Sequence, residues 1–343
     1  MKPYPALLLC IGIGFLVSWL LGYVVIPWLH KLKFGVTIRA DGPNWHKNTT
    51  GTPTMGGFLF IVGSLVSLAI VLVTDKLMGG DLLAGSGYDS DLTKIKVFGG
   101  LIMAAAYGIV GFADDYVKVI KKRNEGLNRI QKSVGQIVVM TAFLATLHRA
   151  GATFMFVPFA GMIEMRWYVF WPLGYICMFA TVNAVNFTDG VDGLCASVTM
   201  TSTASLVIIA ILRNMTGMAL IPAAVLGALA GYLIWNWHPA RVMMGDLGAL
   251  FLGGIVIAIA YCLDSPWVIL LSGIIYVIEF MSDILQGIYF RATHGKRLFL
   301  MAPIHHHFEK KGWSEYKICG VFSAVNALGG AVAILLSWFG RAV

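Results

Sequence analysis

Ten long apolar stretches follow one another through this chain of 343 residues, and they limit its fold more than any other feature. Hydrophobic residues make up 58% of the sequence and charged residues 12%, about half the charged share of an ordinary soluble protein. Because roughly 20 apolar residues span a bilayer as a helix, each stretch is predicted to be a transmembrane helix. The predicted spans are 6–29, 55–73, 95–113, 133–148, 168–187, 195–212, 218–236, 248–263, 267–290 and 318–338. The fold class is therefore an all-α polytopic integral membrane protein, with one transmembrane domain over residues 1–343.

One predicted span differs from the rest in its polar content. The stretch 267–290 carries Glu279, Asp283 and Gln286. Carboxylates are expensive in a bilayer, so this segment is expected to bend or to leave the membrane.

The distribution of lysine and arginine predicts the orientation of the chain. Alternate loops hold 17 of the 25 basic residues, near 30–54, 114–132, 237–247 and 291–317. The positive-inside rule places these loops in the cytoplasm and both termini outside. The net charge of +8 is then explained by topology and by attraction to anionic lipid, and no nucleic-acid partner is expected.

Five aspartates lie where apolar stretches end, and the topology places all five on the cytoplasmic face. Carboxylates at such positions are functional candidates, because charge near a bilayer is costly. Their convergence predicts a cytoplasm-facing cleft that binds metal and phosphate. They are Asp114, Asp115, Asp189, Asp192 and Asp246.

The first pair belongs to the segment Asp-Asp-x-x-Lys at 114–118. If the third span continues as a helix, Asp114 and Lys118 lie on one face, at i and i+4. Adjacent carboxylates repel each other unless a cation lies between them, so Asp114 and Asp115 are candidates for metal or base chemistry. A hydrated helix end with an ordinary salt bridge is the alternative.

The second group follows the fifth span, where polar residues recur every third position. Asn183, Asn186, Asp189 and Asp192 form one stripe if the helix persists, and glycines at 190 and 193 permit a tight turn. The stripe is a candidate binding surface. The alternative is polar contact between helices, since lipid offers asparagine no hydrogen-bond partner.

Asp246 precedes the eighth span within Asn236-Trp-His-Pro-Ala-Arg-Val-Met-Met-Gly-Asp246. A carboxylate at a helix N-terminus favours the helix dipole, so capping alone also explains it. The segment Gly51-Thr-Pro-Thr-Met-Gly-Gly57 is likewise explained as a plain helix start, with Thr52 as the cap and Pro53 at the first position.

The last cytoplasmic loop contains three consecutive histidines, His305, His306 and His307. Three neighbouring side chains cannot all face one metal from a regular helix or strand, so a zinc site is not expected. Imidazoles beside Lys296 and Arg297 suit a diphosphate or a sugar-linked acid. A solvated basic loop is the alternative.

Together these motifs resemble the phospho-N-acetylmuramoyl-pentapeptide transferases, within the superfamily of polyprenyl-phosphate N-acetylhexosamine-1-phosphate transferases. The resemblance covers essentially the whole chain. The superfamily shares the aspartate motifs, whereas Met301-Ala-Pro-Ile-His-His-His307 is specific to the muramoyl-pentapeptide branch. It implies ten transmembrane helices, a homodimer in the bacterial inner membrane, and Mg²⁺ as cofactor. The reaction implied moves phospho-MurNAc-pentapeptide from UDP-MurNAc-pentapeptide to undecaprenyl phosphate, giving lipid I and UMP.

The resemblance also implies roles for individual residues. Asp246 would be the Mg²⁺ ligand, Asp114 the base or a nucleophile, and Asp115 a neighbour of metal or phosphate. Lys118 and Lys132 would orient or neutralise phosphate. The nucleotide-sugar site would be formed by Asn186, Asp189, Asp192, Asn236, Gln286, His305, His306 and His307.

The chain departs from the family pattern at several positions. Asn48 and Thr49 stand where a lysine usually follows the histidine matching His46, and Met243 and Ala249 replace an aromatic residue and a serine around Asp246.

Two other functions are compatible with parts of the sequence. One is a sister transferase that uses UDP-GlcNAc with the same carrier, against which the histidine triplet argues. The other is an ion-coupled transporter, which would place its carboxylates near the bilayer midplane and usually contain internal repeats.

Overall fold

A computed structural model describes residues 1–32, 51–84, 89–120 and 126–340. The chain is predominantly helical, and a single pair of short strands was found in the described residues. In chain order the elements are α1 (Pro3–Lys31), α2 (Gly57–Leu77), α3 (Ser90–Ile120), α4 (Arg129–Arg149), β1 (Phe154–Val157), β2 (Gly161–Glu164), α5 (Trp167–Thr188), α6 (Leu194–Leu212), α7 (Leu220–Asn236), α8 (Gly245–Cys262), a 3₁₀ turn (Pro266–Val268), α9 (Ile269–Ser272), α10 (Ile274–Ala292), α11 (Ile304–Lys310) and α12 (Glu315–Phe339).

Eight helices within the described ranges are long and apolar enough to cross a bilayer. All ten predicted spans fall on helical segments, although α7 has only 17 residues. The predicted bend in the ninth stretch is confirmed, because the segments Pro266–Ser272 and Ile274–Ala292 meet at 84°. The chain is a multi-pass membrane protein.

Helix α8 lies at the centre of the bundle. Every residue from Leu247 to Cys262 is buried, and the sequence is apolar on all sides, as expected of a helix enclosed by other helices. Asp246 occupies the first turn of this enclosed helix. A functional group at that position is held by the most fully buried of the eight candidate spans.

The two short strands form an antiparallel hairpin that the sequence analysis did not predict. Phe154 pairs with Glu164, and Val157 with Gly161. The hairpin contacts the C-terminal end of α12, since the Phe159 amide donates to the Gly340 carbonyl at 3.0 Å. Its period-2 pattern is too short to stand out from the apolar segments around it.

Both ends of the described chain lie away from Asp246. The Met1 amine lies 2.5 Å from Asp75 Oδ1, near the C-terminal end of α2. The other end of α2 begins at Gly57, which packs against Gly248, two residues after Asp246.

Candidate active site

The ammonium group of Lys118 joins three carboxylates at one end of the bundle. Its Nζ lies 2.6 Å from Asp114 Oδ2 and 3.6 Å from Asp115 Oδ1, and it also contacts Asp246 Oδ2. The predicted i, i+4 relationship of Asp114 and Lys118 is confirmed, because α3 continues without a break to Ile120. The aspartates of α3 and α8 therefore form one cluster.

A close approach of α3 and α8 brings Asp246 into this cluster. A methyl group at Gly111 would lie 2.1 Å from the Asp246 carbonyl oxygen, so only glycine fits there. Asp115 Oδ2 accepts the Leu247 amide at 3.0 Å and thereby satisfies one unpaired N–H group in the first turn of α8. Asp246 is thus positioned by side chains of α3 as well as by its own helix.

The segment Gly51–Gly57 aligns the loop before Asp246. The Met243 amide donates to the Pro53 carbonyl at 2.9 Å, and the Gly56 amide donates to the Met243 carbonyl at 2.8 Å. The predicted helix start at Thr52 and Pro53 is wrong, because α2 begins at Gly57 and has no side-chain cap. The segment forms a short backbone pairing with the Asp246 loop instead.

A second lysine reaches the cluster from α4. Lys132 Nζ lies 2.8 Å from Asp246 Oδ1, and the side chain is largely buried. Asn128 and Gln131 form a capping box that begins α4 just before Lys132 and so fixes the lysine on the first turn. Asp114 Oδ1 is also held, because it accepts the Leu127 amide at 2.8 Å.

The polar stripe predicted after the fifth span is interrupted. Helix α5 ends at Thr188, with Asp189 as its C-cap, so Asp192 does not continue the helical face. The chain turns instead, and Gly193 has φ 76°. Asn183 exchanges hydrogen bonds with Gln136 of α4, which is the contact between helices weighed as the alternative for this residue.

Asn236 connects the α5–α6 turn with the loop before Asp246. Its amide nitrogen donates to the Val242 carbonyl at 2.9 Å, and its oxygen accepts the Gly193 amide at 3.1 Å. Both functional groups of this buried side chain are therefore used to join the two segments, and Asn236 itself lies 43 residues from Gly193 in the chain.

Asp192 of the same turn also contacts the loop that precedes Asp246. Its Oδ2 accepts the Ala240 amide at 2.9 Å and lies 3.0 Å from His238 Nδ1, which is also 3.3 Å from Glu315 Oε2. The Asp192 side chain is buried, and its carboxylate holds the loop 237–240.

Asp189 lies close enough to Asp246 and Asp115 for their negative charges to act on it. Burial raises the pKa of Asp189 to about 8, and repulsion from Asp246 and Asp115 adds to this effect. The group sits just beyond the end of α5. A cation or hydrogen-bond donor near it would favour its charged form.

The three histidines have three different partners. His305 Nδ1 lies 3.0 Å from Glu279 Oε2 on α10, and His306 Nδ1 lies 2.5 Å from Glu309 Oε2. His307 Nδ1 accepts the Leu300 amide at 3.1 Å. Burial and the charge of Lys311 lower the pKa of His307, in keeping with an unprotonated Nδ1. The expectation that the triplet does not converge on one metal is consistent with this geometry.

Gln286 holds the loop that leads to the histidines. Its oxygen accepts the amides of Leu298 and Phe299 at 3.0 and 2.9 Å. The Gln286 side chain therefore fixes the backbone of this loop.

Two groups of described residues bring three ligand atoms within 4.8 Å of one another, as a metal site requires. The first is Asp114, Asp115 and Asp246, whose carboxylate oxygens are the hard ligands that Mg²⁺ prefers. The second is Asp192, His238 and Glu315, which satisfy one another by hydrogen bonds. The donor set of the first group fits Mg²⁺.

Three glutamates that contact His238, His305 or His306 were not predicted from the sequence as site residues. Glu279, Glu309 and Glu315 each lie within hydrogen-bonding distance of an imidazole nitrogen. Glu279 carried a signal, as a carboxylate inside an apolar stretch, whereas the other two look like ordinary loop residues. The departure at 46–49 lies outside the described residues.

The chain is similar to known proteins over nearly its whole length. The family model for glycosyl transferase family 4 matches residues 97–264, which include the aspartates of α3 and α8. A phospho-N-acetylmuramoyl-pentapeptide-transferase from Desulforamulus reducens is 40% identical over 97% of this chain and 96% of its own length. The protein of the same name from Listeria welshimeri is 36% identical over 96% of this chain and 97% of its own, and that from Clostridium perfringens is 40% identical over 94% of each.

Proposed function

This chain belongs to the phospho-N-acetylmuramoyl-pentapeptide-transferase family, and from that premise we infer the chemistry of its site. The protein transfers phospho-MurNAc-pentapeptide from UDP-MurNAc-pentapeptide to a polyprenyl phosphate carrier, giving lipid I and UMP. We propose undecaprenyl phosphate as the carrier. The observation that carries the proposed mechanism is the convergence of Asp114, Asp115 and Asp246 around Lys118.

The reaction brings two phosphorylated substrates together, so charge compensation is its first requirement. A phosphate oxygen of the lipid attacks the phosphorus that carries the sugar, and the bond from that phosphorus to UMP breaks. Asp246 is the proposed Mg²⁺ ligand, with Asp115 beside it. When bound, Mg²⁺ would offset phosphate charge and stabilise the departing UMP.

Lys118 and Lys132 supply the remaining positive charge. Both ammonium groups contact Asp246 and are mostly shielded from solvent, so their attraction for a phosphate is screened less than that of surface lysines. We propose that they orient the phosphates of the two substrates, because fixed charges aimed at a reacting group need no reorganisation during the reaction.

Asp114 is the proposed base. The lipid phosphate is itself the nucleophile, so a base is needed only when this phosphate arrives protonated. The fixed contacts of Asp114 to Lys118 and to the Leu127 amide hold its carboxylate in place for that proton. Direct attack by Asp114 on the nucleotide is the competing mechanism, and it predicts a covalent intermediate.

The nucleotide-sugar is proposed to lie over the α5–α6 turn and the histidine loop. Asn186 and Asp189 have side chains at this turn without any described hydrogen bond, and both are half-buried. Asp192, Asn236 and Gln286 order the backbone around them, and His305, His306 and His307 are proposed to face the diphosphate or the sugar–peptide end.

The cellular setting is proposed from charge and resemblance. We place the protein in the bacterial inner membrane, with its cleft and the basic loops facing the cytoplasm. A homodimer and a single transferase domain over residues 1–343 are proposed on the resemblance alone.

The test of the substrate is UMP release by purified protein in detergent with undecaprenyl phosphate and Mg²⁺. UDP-MurNAc-pentapeptide and UDP-GlcNAc are supplied in parallel. Release with the muramoyl nucleotide alone is expected. Release with UDP-GlcNAc alone would assign the sister reaction, and the absence of release with either would contradict a transferase.

A further inference from the structure

A carboxylate and an imidazole that the proposed mechanism does not use as a pair meet inside the protein. Glu279 of α10 and His305 of α11 are 0% and 1% exposed, and Glu279 Oε2 lies 3.0 Å from His305 Nδ1. A carboxylate can only accept, so Nδ1–H donates to Glu279. Nε2 is then the nitrogen whose lone pair is free in the neutral ring.

Each side chain of this pair also has one polar atom that lacks a partner among the described residues. Both Glu279 Oε1 and His305 Nε2 are buried, with no hydrogen-bond partner among the described residues. Polar atoms buried in this way are uncommon because they lose their hydration, and those that persist in a protein call for an explanation, catalysis among them.

The unpartnered Nε2 faces the turn on which the nucleotide-sugar is proposed to lie. A methyl group at Gly190 would be 2.2 Å from His305 Nε2, so the ring lies directly against this backbone. Gly190 follows Asp189 and belongs to the α5–α6 turn. The Glu279–His305 pair therefore connects α10 to the turn through a single imidazole.

The other two histidines of the triplet have partners within their own loop. Glu309 contacts His306 from three residues away, and the Leu300 amide donates to His307. His305 differs from them because its acidic partner belongs to a separate helix. Its ring orientation is fixed from outside the loop.

We propose that Glu279 is a positioning residue, which fixes the tautomer and orientation of His305 so that Nε2 lies against Gly190 of the α5–α6 turn, where the diphosphate-bearing substrate is proposed to bind. This proposal rests on the proposed function, in which His305 meets the substrate. A partner behind an active-site imidazole determines which ring nitrogen carries hydrogen. Behind metal-bound imidazoles, removal of such a partner typically costs about 10–100-fold in metal affinity or activity.

The test is a double-mutant cycle in the full-length protein, with Glu279→Gln, His305→Ala and the double variant. We expect Glu279→Gln to lower kcat at least about 10-fold while KM for the lipid phosphate changes little. In the His305→Ala background the same substitution should have almost no further effect, since Glu279 acts through His305. Glu279→Asp, which keeps the charge, should recover part of the loss.

Asp75→Asn is the matched control, because Asp75 is also a buried carboxylate but lies at the opposite end of the bundle. It should leave kcat of the folded protein near the wild-type value. Wild-type turnover of Glu279→Gln, or an equal loss in the His305→Ala background, would overturn the proposal.

A second measurement does not depend on turnover. The ¹⁵N spectrum of histidine-labelled wild-type protein, with His305 assigned through its loss in His305→Gln, reports the tautomer of the neutral ring. Hydrogen on Nδ1 is expected, and hydrogen on Nε2 alone would overturn the proposal. If wild-type protein released no UMP, the proposed function would fail while this spectrum still decided the pairing.

Discussion

Lys132 of α4 and Asp246 of α8 form an ion pair of 2.8 Å although 114 residues separate them in the chain. The pair joins α4 directly to the first turn of α8. Because Lys118 contacts the other oxygen of the same carboxylate, Asp246 is held between two ammonium groups.

Substitution of Lys132 by Met should slow transfer. The substitution removes one positive charge from Asp246 and from the proposed phosphate site, and the loss of one such donor typically lowers kcat by about 10²-fold. Initial rates at saturating substrates measure the effect. Arg129→Met is the control, since Arg129 is exposed one helical turn away. Equal rates for the two variants would contradict the role of Lys132.

Substitution of Gly111 by Ala should damage both stability and activity. The added methyl group would lie 2.1 Å from the Asp246 carbonyl, so α3 and α8 must separate. Overpacking of this kind costs about 1–3 kcal/mol, and a small displacement of a reacting group lowers the rate steeply. Thermal unfolding and initial rates measure the two effects.

Gly12→Ala provides the comparison for Gly111, because a methyl group at Gly12 has open space around it. This variant should be as stable as the wild type or slightly more so. If Gly111→Ala behaved in the same way, the close contact between α3 and α8 would not control the position of Asp246.

The stability of the metal-free protein should fall as pH rises, in part because of Asp189. Its pKa in the folded state is about 8, whereas an unfolded aspartate titrates near 3.9. Between these values the folded state binds more protons than the unfolded state, so each rise in pH favours unfolding. Asp189→Asn should therefore gain stability over the wild type as pH increases through this window.

Thermal unfolding in detergent with a chelator, from about pH 5 to about pH 9, measures this difference. Asp283→Asn is the control, because Asp283 is exposed, and its curve should run parallel to that of the wild type. A constant difference between Asp189→Asn and the wild type across the range would contradict the assigned origin of the effect.

Local pattern predicted much of the fold. Apolar length predicted helices at all ten stretches. The carboxylates within 267–290 predicted that this stretch bends or leaves the membrane, and the structure places the bend near Gly273. The i, i+4 spacing of Asp114 and Lys118 predicted their contact, because it depends only on helix geometry.

Features that depend on contacts between distant segments were less accessible. The spacing rule failed at Asp189, where the helix ends, and the pairing of Pro53 with Met243 had no signal in either segment. Glu279 was visible as an unusual carboxylate, but its partner His305 lies 26 residues further on another helix. Such pairings are set by tertiary packing and not by local sequence.

If the carboxylates of α3 and α8 form a cation-dependent centre for phosphoryl transfer, lipid I formation requires both Asp246 and Mg²⁺. The most direct test measures lipid I formation by the wild type, Asp246→Asn and Asp75→Asn over a range of Mg²⁺ concentrations. The wild type should need the cation, Asp246→Asn should lose about 10²–10³-fold in rate or more, and Asp75→Asn should resemble the wild type. Wild-type rates for folded Asp246→Asn, or transfer that persists in excess chelator, would contradict the account.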